Sequence, residues 1–442
     1  MSVVDDIPAI FLDKISPKAL DTIQKCKDFV NDFCLPADQI CFSQIPLDAE
    51  KRWKSTPPVL EKLKLKAKLL GLWNMFLSNR YSEGGGYTNL EYGIMAEYLG
   101  RSFTAPMATN TAAPDTGNME ILARYGTPEQ KSKWLRPLLD GKIRSAFLMT
   151  EKGTSSSNAL NISCSAKQNE KGNFIVNGVK WFASGAGDPH CKVWLVMCKT
   201  GSGKNVYGNH TVLVIDAEKA LKSGKAKLVR PLTVFGYDDA PHGHCEVRFD
   251  DYELDLGDPN QVILHNLGSG FEVIQSRLGP GRIHHCMRCI GVGEMALLRV
   301  VHRANHRRIF GTLLKDKELF LTAYAQFKID IERCRLLVLN AAHKIDLAGA
   351  KGAMREIAIA KIETPRTVLK ILDWGIQMYG AEGVSQDTEL AREYALNRTL
   401  RIADGPDEAH LNQLAKVAAK KFSETDAYFD KIEAQRKVVA KM

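Results

Sequence analysis

The chain has 442 residues, 45% hydrophobic and 25% charged, with 60 basic against 51 acidic side chains and a net charge of +9. That length exceeds one hydrophobic core and predicts two or three packed domains, while the composition excludes a disordered, collagenous or low-complexity chain. No apolar run reaches the ~20 residues of a membrane-spanning helix, and the ten cysteines form no disulfide framework, so reduced thiols are expected.

The N-terminus, MSVVDDIPAIF, is acidic where a secretory leader is basic, and it is poor in arginine; the closing VVAKM is not an SKL-type address. The default location is the cytoplasm, with mitochondrion and peroxisome left open. Up to about residue 145, segments such as PPVLEKLKLKAKLLGLW and TPEQKSKWLRPLLDG carry apolar residues at helical spacing. Thr127-Pro128-Glu129 reads as a helix start, with proline just inside it. The basic residues are spread along such helices without an aromatic–basic block. Solvated faces are therefore favoured over nucleic acid binding, and the positive balance suits a small anionic ligand.

From about 146 to 255 the period changes. NFIVNGVKWFASG, KVWLVMCK, HTVLVIDA, KLVRPLTVFG and HCEVRFDDYEL are short runs rich in Val, Phe and Ile, punctuated by turn residues and without intervening helices. They predict an antiparallel β-domain of sandwich or barrel type. After Gly268 the helical pattern returns. Within 322–348, Phe327, Ile331, Cys334, Val338, Ala341 and Ile345 form one buried stripe, with Glu332, Arg335 and Lys344 off it. The segment 353–379 carries Pro365 inside it, where a kink or break is expected. The order predicts an α+β chain: an N-terminal helical domain (1–145), a central antiparallel β-domain (146–264) and a C-terminal helical domain of four-helix-bundle type (265–442).

Several chemistries are disfavoured. GSGK at 201–204 lacks the rest of a P-loop and lies in a hairpin, and LGPGR at 278–282 has no βαβ unit around it. Neither G-x-S-x-G nor H-E-x-x-H occurs. Cys286 and Cys289 in HHCMRC lack a second pair at zinc spacing, and His242, His244 and Cys245 in PHGHCE read the same way, so packing is preferred to metal binding. Two polar stretches border the β-domain. SAFLMTEKGTSSSNALNIS (145–163) offers hydroxyl and N–H donors to a ring edge or phosphate, or is a plain solvated loop. KWFASGAGD (180–188) follows an aromatic pair with small residues that admit a flat ligand. RTLRIADGPDEAH (398–410) places Asp404, Asp407 and Glu408 around Gly405 and Pro406, as a helix cap or as the seat of a base.

Together APDTGNMEILARYG (113–126), FLMTE, KWFASGAGDP, RLGPGRIHHCMR (277–288), R-x-x-FG at Arg307–Gly311, Q-x-x-G at Gln377–Gly380 and LRIADGPDEAHL (400–411) resemble the acyl-CoA dehydrogenases. The resemblance runs over roughly 80–425 and points to the branch whose animal members carry a kinase-like domain ahead of the dehydrogenase. It implies FAD as cofactor and an acyl-CoA as substrate. Phe147, Met149 and Thr150 would border the isoalloxazine, Trp181 would lie against it and Ser184 would reach its N5 side. Either Ser156 or Ser157 would contact the pyrophosphate. Arg307, Phe310 and the Gln377–Gly380 turn would come from a neighbouring subunit, which implies a homodimer or homotetramer, and the electron acceptor is left open between an electron-transfer flavoprotein and O2.

In the same resemblance the family's I-Y-E-G turn matches Ile402-Ala403-Asp404-Gly405. Asp404 is the implied base, one methylene shorter than the usual Glu, and Arg282 would hold its carboxylate. The other base position known in the family falls on Gly281, which cannot serve. Asp407 and Glu408 would cap the next helix. The departures are Lys152 where T-E-P is usual, Asn158 where an aspartate is usual, and Gly380-Ala381-Glu382-Gly383 for G-G-x-G, which puts a methyl and a negative charge near the pyrophosphate. The implied activity is FAD-dependent dehydrogenation of an acyl-CoA to a trans-2-enoyl-CoA. The short base and Ala403 point to a long, branched or hydroxylated substrate. The alternatives are an oxidase or desaturase on a non-CoA substrate, or a non-catalytic acyl-CoA-binding relative.

Overall fold

The computed structural model describes residues 3–259 and 263–442. The N-terminal helices that matter for the site are α1 (Pro17–Phe29), α2 (Pro58–Leu69), α3 (Asn89–Leu99) and α4 (Asp115–Tyr125). Their starts obey local chemistry. The Ser16 hydroxyl accepts from Ala19 N–H ahead of α1, and Thr88 with Glu91 forms a capping box at α3. The start expected at Thr127 is also a capping box, closed by Gln130 with Pro128 in its first turn.

The five strand-like runs of the sequence are β3 (Phe174–Ser184), β4 (Cys191–Lys199), β5 (His210–Asp216), β6 (Ala226–Leu232) and β7 (His244–Leu254). Ahead of them lie β1 (Arg144–Leu148) and β2 (Ser165–Gln168). All seven join one sheet in the order β1-β4-β2-β3-β7-β6, with β5 on β4. Two expectations need correction here. The sheet is mixed, because β1 pairs with β4 in parallel; the chain passes through β2 and β3 before returning beside β1. A helix does intervene: α5 (Ala217–Lys222) follows β5, with Asp216 accepting from Lys219 N–H as its N-cap.

The C-terminal part comprises α6 (Gly270–His306), a tight hairpin of β8 (Arg308–Ile309) and β9 (Thr312–Leu313), α7 (Glu318–Gly352), α8 (Met354–Tyr379), α9 (Leu390–Thr399), α10 (Asp407–Ala419) and α11 (Phe422–Val439). The stripe of α7 is core: Ile331, Cys334, Val338, Ala341 and Ile345 are buried, and Phe327 packs on its edge. Arg335, expected off that stripe, is buried as well, because its guanidinium meets Glu97 at 2.9 Å, Glu294 at 2.7 Å, and Glu332. Pro365 does not break α8, which runs through it with the proline buried against its neighbours. The interruption lies earlier, at Gly349, whose φ of 68° and ψ of 171° leave the helix in a region open to glycine. Among the described residues, no helix is long and apolar enough to cross a membrane.

One apolar core runs through α1, α3, α4, α6, α7 and α8 and takes in Val193, Leu195 and Met197 of β4, so the two helical regions share an interior. A second core lies within the β-region around Trp194 and Phe249. The contact between α3 and α6 is backbone to backbone. A Cβ on Gly291 would stand 1.9 Å from the Glu97 carbonyl oxygen, and one on Gly100 would stand 2.1 Å from that of Arg288. This crossing fixes the helix that carries RLGPGRIHHCMR.

Candidate active site

Asp404 lies in the turn between α9 and α10. Its φ is +57° and that of Gly405 is +105°, so two successive residues are left-handed and the chain reverses sharply. A side chain at 405 would be strained at that φ and would push on His410, whose Nε2 would lie 2.9 Å from its Cβ. The Asp404 side chain is 17% exposed, with Oδ2 3.7 Å from Nε2 of His285. Burial by itself would raise its pKa. The surrounding His285, Arg277, Arg282 and Lys361 outweigh that and hold the carboxyl below the usual range. The carboxylate is therefore ionised at neutral pH and shielded from bulk water.

Arg282 acts differently from the expectation. Its Nε donates to the backbone carbonyl of Asp404 at 2.7 Å, so it holds the turn and contributes to the carboxylate through its field alone. The buried Lys361 ammonium, on α8, likewise bonds the Leu400 carbonyl. Asp407 is also corrected. The first turn of α10 has no side-chain cap; the Asp407 carboxylate is instead clamped by Arg366 Nε at 2.9 Å and Arg401 Nε at 2.8 Å. That clamp ties α10 to α8 and steadies the turn that presents Asp404. Glu408 is exposed.

Phe147, on β1, carries the Arg277 guanidinium 4.2 Å above its ring. Arg277 donates from Nε to Asn118 Oδ1 at 3.1 Å and lies across Gly117, where any Cβ would come within 3.0 Å of it. Met149 and Thr150 follow β1, and the Trp181 N–H donates to the Thr150 carbonyl at 2.7 Å, which clips this segment onto β3. Among the described residues, the buried Trp181 indole N–H meets no acceptor and the buried Thr154 hydroxyl no partner. Glu151 anchors the loop: it pairs with the buried Lys180 at 2.8 Å and accepts from Ser163 and Cys164. The Ser156 hydroxyl accepts from Glu151 N–H at 3.0 Å, whereas Ser157 is exposed. Ser184 bonds His244 Nδ1 at 2.8 Å. His242 instead pairs with Asp188 and stands 3.1 Å from Arg144. Cys286 and Cys289 are buried in the helical core, and burial pushes the Cys286 thiol up to about 12.

The remaining predicted residues form a separate outward-facing group. Phe310 (φ 46°) and Gly311 (φ 83°) make the turn of the β8–β9 hairpin, and Phe310 is 100% exposed. Gln377 is exposed at the end of α8, and Gly380 has a φ of +65° with open space around its α-carbon. Glu382, the unusual charge beyond Gly380, meets Arg303 at 2.7 Å and Arg307 at 3.8 Å, so its charge is largely offset within the chain. Thus Arg277 lies over Phe147 and acts on Asp404 through its charge, while Arg307, Phe310, Gln377 and Gly380 are exposed to solvent. Sequence reading missed His285, Arg288, Arg277, Lys361 and Gly117. The available signal was the i,i+3 spacing of His285 and Arg288, which puts both on one helical face.

Three family models match this chain: the acyl-CoA dehydrogenase N-terminal domain at residues 37–142, the middle domain at 146–252 and the C-terminal domain at 268–419. Acyl-CoA dehydrogenase family member 11 of Gallus gallus is 45% identical over 405 residues, 91% of this chain and 50% of that protein; the chain spans about half the length of such curated relatives. An acyl-CoA dehydrogenase-like protein of Mycobacterium abscessus, known as a solved structure, superposes with a TM-score of 0.86 at 37% identity, covering 92% of this chain and 99% of that one. PigA, solved as an FAD complex, shares the fold with a TM-score of 0.76 at 20% identity, over 92% and 98% of the two chains.

Proposed function

We propose, from the premise that this chain belongs to the acyl-CoA dehydrogenase family, that it converts an acyl-CoA to a trans-2-enoyl-CoA with Asp404 as the base. The observation that carries this reading is a shielded, ionised carboxylate presented by a left-handed turn among His285, Arg277, Arg282 and Lys361. A carboxylate in that setting takes the proton α to a thioester carbonyl, whose acidity rises as the carbonyl is polarised. Arg282 and the Arg366–Arg401 clamp on Asp407 keep the turn in place as Asp404 passes from charged to neutral.

The residues present fit FAD. Phe147 under Arg277 offers a wall for a flat ring, Trp181 and Thr154 hold buried donors in want of an acceptor, and exposed Ser157 is the better placed serine for a phosphate. FAD, when bound, supplies the acceptor for the hydride leaving the β-carbon. Ser184, already engaged by His244, would reach that group only through its remaining hydroxyl capacity. Phe310, held fully exposed on a tight turn beside Arg307, supports completion of the cofactor site by a second copy in a homodimer or homotetramer. The electron acceptor in this reading is an electron-transfer flavoprotein.

The pairing of Glu382 with Arg303 supports catalysis over a non-catalytic relative, whose motive is the altered turn at Gly380–Gly383. Asp404→Asn tests the reading. The variant should purify with FAD, while its anaerobic bleaching by a panel of acyl-CoAs slows by about 10²–10⁴-fold. Undiminished bleaching would refute Asp404 as base, and rapid peroxide formation without an added acceptor would favour an oxidase.

A further inference from the structure

We infer that His285 is the positioning residue of the base, an inference that rests on that reading of Asp404: Arg288 fixes the imidazole proton on Nε2, and this N–H is aimed at Oδ2 of Asp404, which leaves the other oxygen to take the substrate proton. The geometry is specific. Arg288 Nη2 stands 3.3 Å from His285 Nδ1. A guanidinium only donates and does not lose its proton, so Nδ1 must be the accepting nitrogen. A neutral imidazole then carries its hydrogen on Nε2, and Nε2 lies 3.7 Å from Asp404 Oδ2. Among the described residues, it is the one Lys, Arg or His side-chain nitrogen within 4.0 Å of that carboxylate.

Arg288 is itself held in place. Its Nη1 donates to the Thr111 carbonyl at 3.3 Å, and its backbone sits against Gly100 at the α3–α6 crossing. The ring is neutral at physiological pH, because burial, helped by Arg288, pushes its pKa down to about 3. The other groups around the pair are Arg277, Arg282, His284 and Cys286 on α6, Lys361 on α8, and Asp407 and His410 on α10; burial holds His284 neutral and Cys286 a thiol. Burial lowers His410 to about 4, so it too is neutral and contributes no charge. The 3.7 Å separation exceeds a formed hydrogen bond, so this role requires the two side chains to draw together when a thioester is bound.

The arrangement excludes His285 as a second base. One nitrogen already bears a hydrogen and the other is blocked by a group that can only donate. What it does is favour the ionised form of Asp404 and restrict the torsion of a side chain that is one methylene too short to be steadied by length.

The experiment uses the FAD-loaded protein. Ring ¹⁵N NMR of the unaltered enzyme, with the His285 signal identified by its loss in His285→Gln, reads the tautomer directly and without turnover. The Nε2–H form is expected, and an Nδ1–H form overturns the inference even if Asp404→Asn has abolished bleaching. In kinetics, His285→Leu should slow anaerobic bleaching about 10–100-fold with little change in KM and move the acid limb of its pH profile upward by about one unit. His285→Gln, whose amide restores an N–H donor, should recover most of the rate and of the acid limb. An unchanged rate and acid limb in His285→Leu, or no recovery in His285→Gln, would also overturn it. Full activity of Asp404→Asn would instead remove the base reading on which it rests.

Discussion

Gly281 and Asp404 face one another across the turn into α10, with a Cβ on Gly281 placed 3.8 Å from Oδ2 of Asp404. The two positions that the resemblance offers for a base are therefore two approaches to one point in space. Glycine at 281 is what leaves that point to the aspartate.

This relationship predicts that the base can be moved. Asp404→Gly should be strain-free at a φ of +57° and nearly inactive. Adding Gly281→Glu should restore at least about tenfold of the lost bleaching rate, because the longer side chain reaches the same place from α6. A double variant no faster than Asp404→Gly would show that the turn, and not only the carboxylate, is needed.

Glu120 predicts a pH-dependent stability. Burial raises its pKa from 4.5 to about 7, although Tyr81 and nearby arginines oppose the shift. The folded chain keeps this proton where the unfolded chain has lost it, so the contribution is favourable below about 4.5, declines as pH rises and is lost above 7. Its full size is at most about 3 kcal/mol. Glu120→Gln should therefore melt higher than the parent at pH about 8 and alike at pH about 4. An equal difference at both values would contradict the shift.

The α3–α6 crossing predicts a contrast between two glycines on one helix. A methyl on Gly291 meets the Glu97 carbonyl at 1.9 Å, whereas one on Gly293 meets the Ile331 side-chain end at 2.8 Å. Backbone cannot yield as a side chain can. Gly291→Ala should cost about 3 kcal/mol or more and Gly293→Ala about 1, read as the order of their thermal midpoints. The reverse order would mean that α6 is free to shift.

Arg303 and Glu382 predict a thermodynamic cycle in cofactor affinity. Removing the arginine by Arg303→Ala uncovers the Glu382 charge and should weaken FAD binding about tenfold, or ~1.4 kcal/mol. Glu382→Ala alone should bind FAD at least as tightly as the parent, and the double variant should return near it. Independent, additive effects in FAD titrations would separate Glu382 from the cofactor site.

Local patterns carried much of this. The change of period at about residue 146 located β3 to β7, and the three- and four-residue spacing of α7 marked its buried face, because both reflect how one segment meets one neighbouring layer. β1 and β2 escaped: five and four residues are too few to show alternation. α5 had a signal, Asp216 ahead of AEKALK, that was passed over between strands. Arg335 looked like surface because its partners are Glu97 and Glu294, one of them more than two hundred residues away.

The sequence by itself determined the helix–sheet–helix order, the family motifs and Asp404 as the residue to examine, since each is written in contiguous residues whose types and spacing have local causes. Only the tertiary structure decided what surrounds that aspartate. It turned Arg282 toward the backbone, gave Asp407 to two arginines, set Gly117 under Arg277 and brought His285, held by Arg288, to the carboxylate from 119 positions away. Proton affinity depends on distances through space in a low-dielectric interior, and those distances exist only once α6, α8 and α10 have packed.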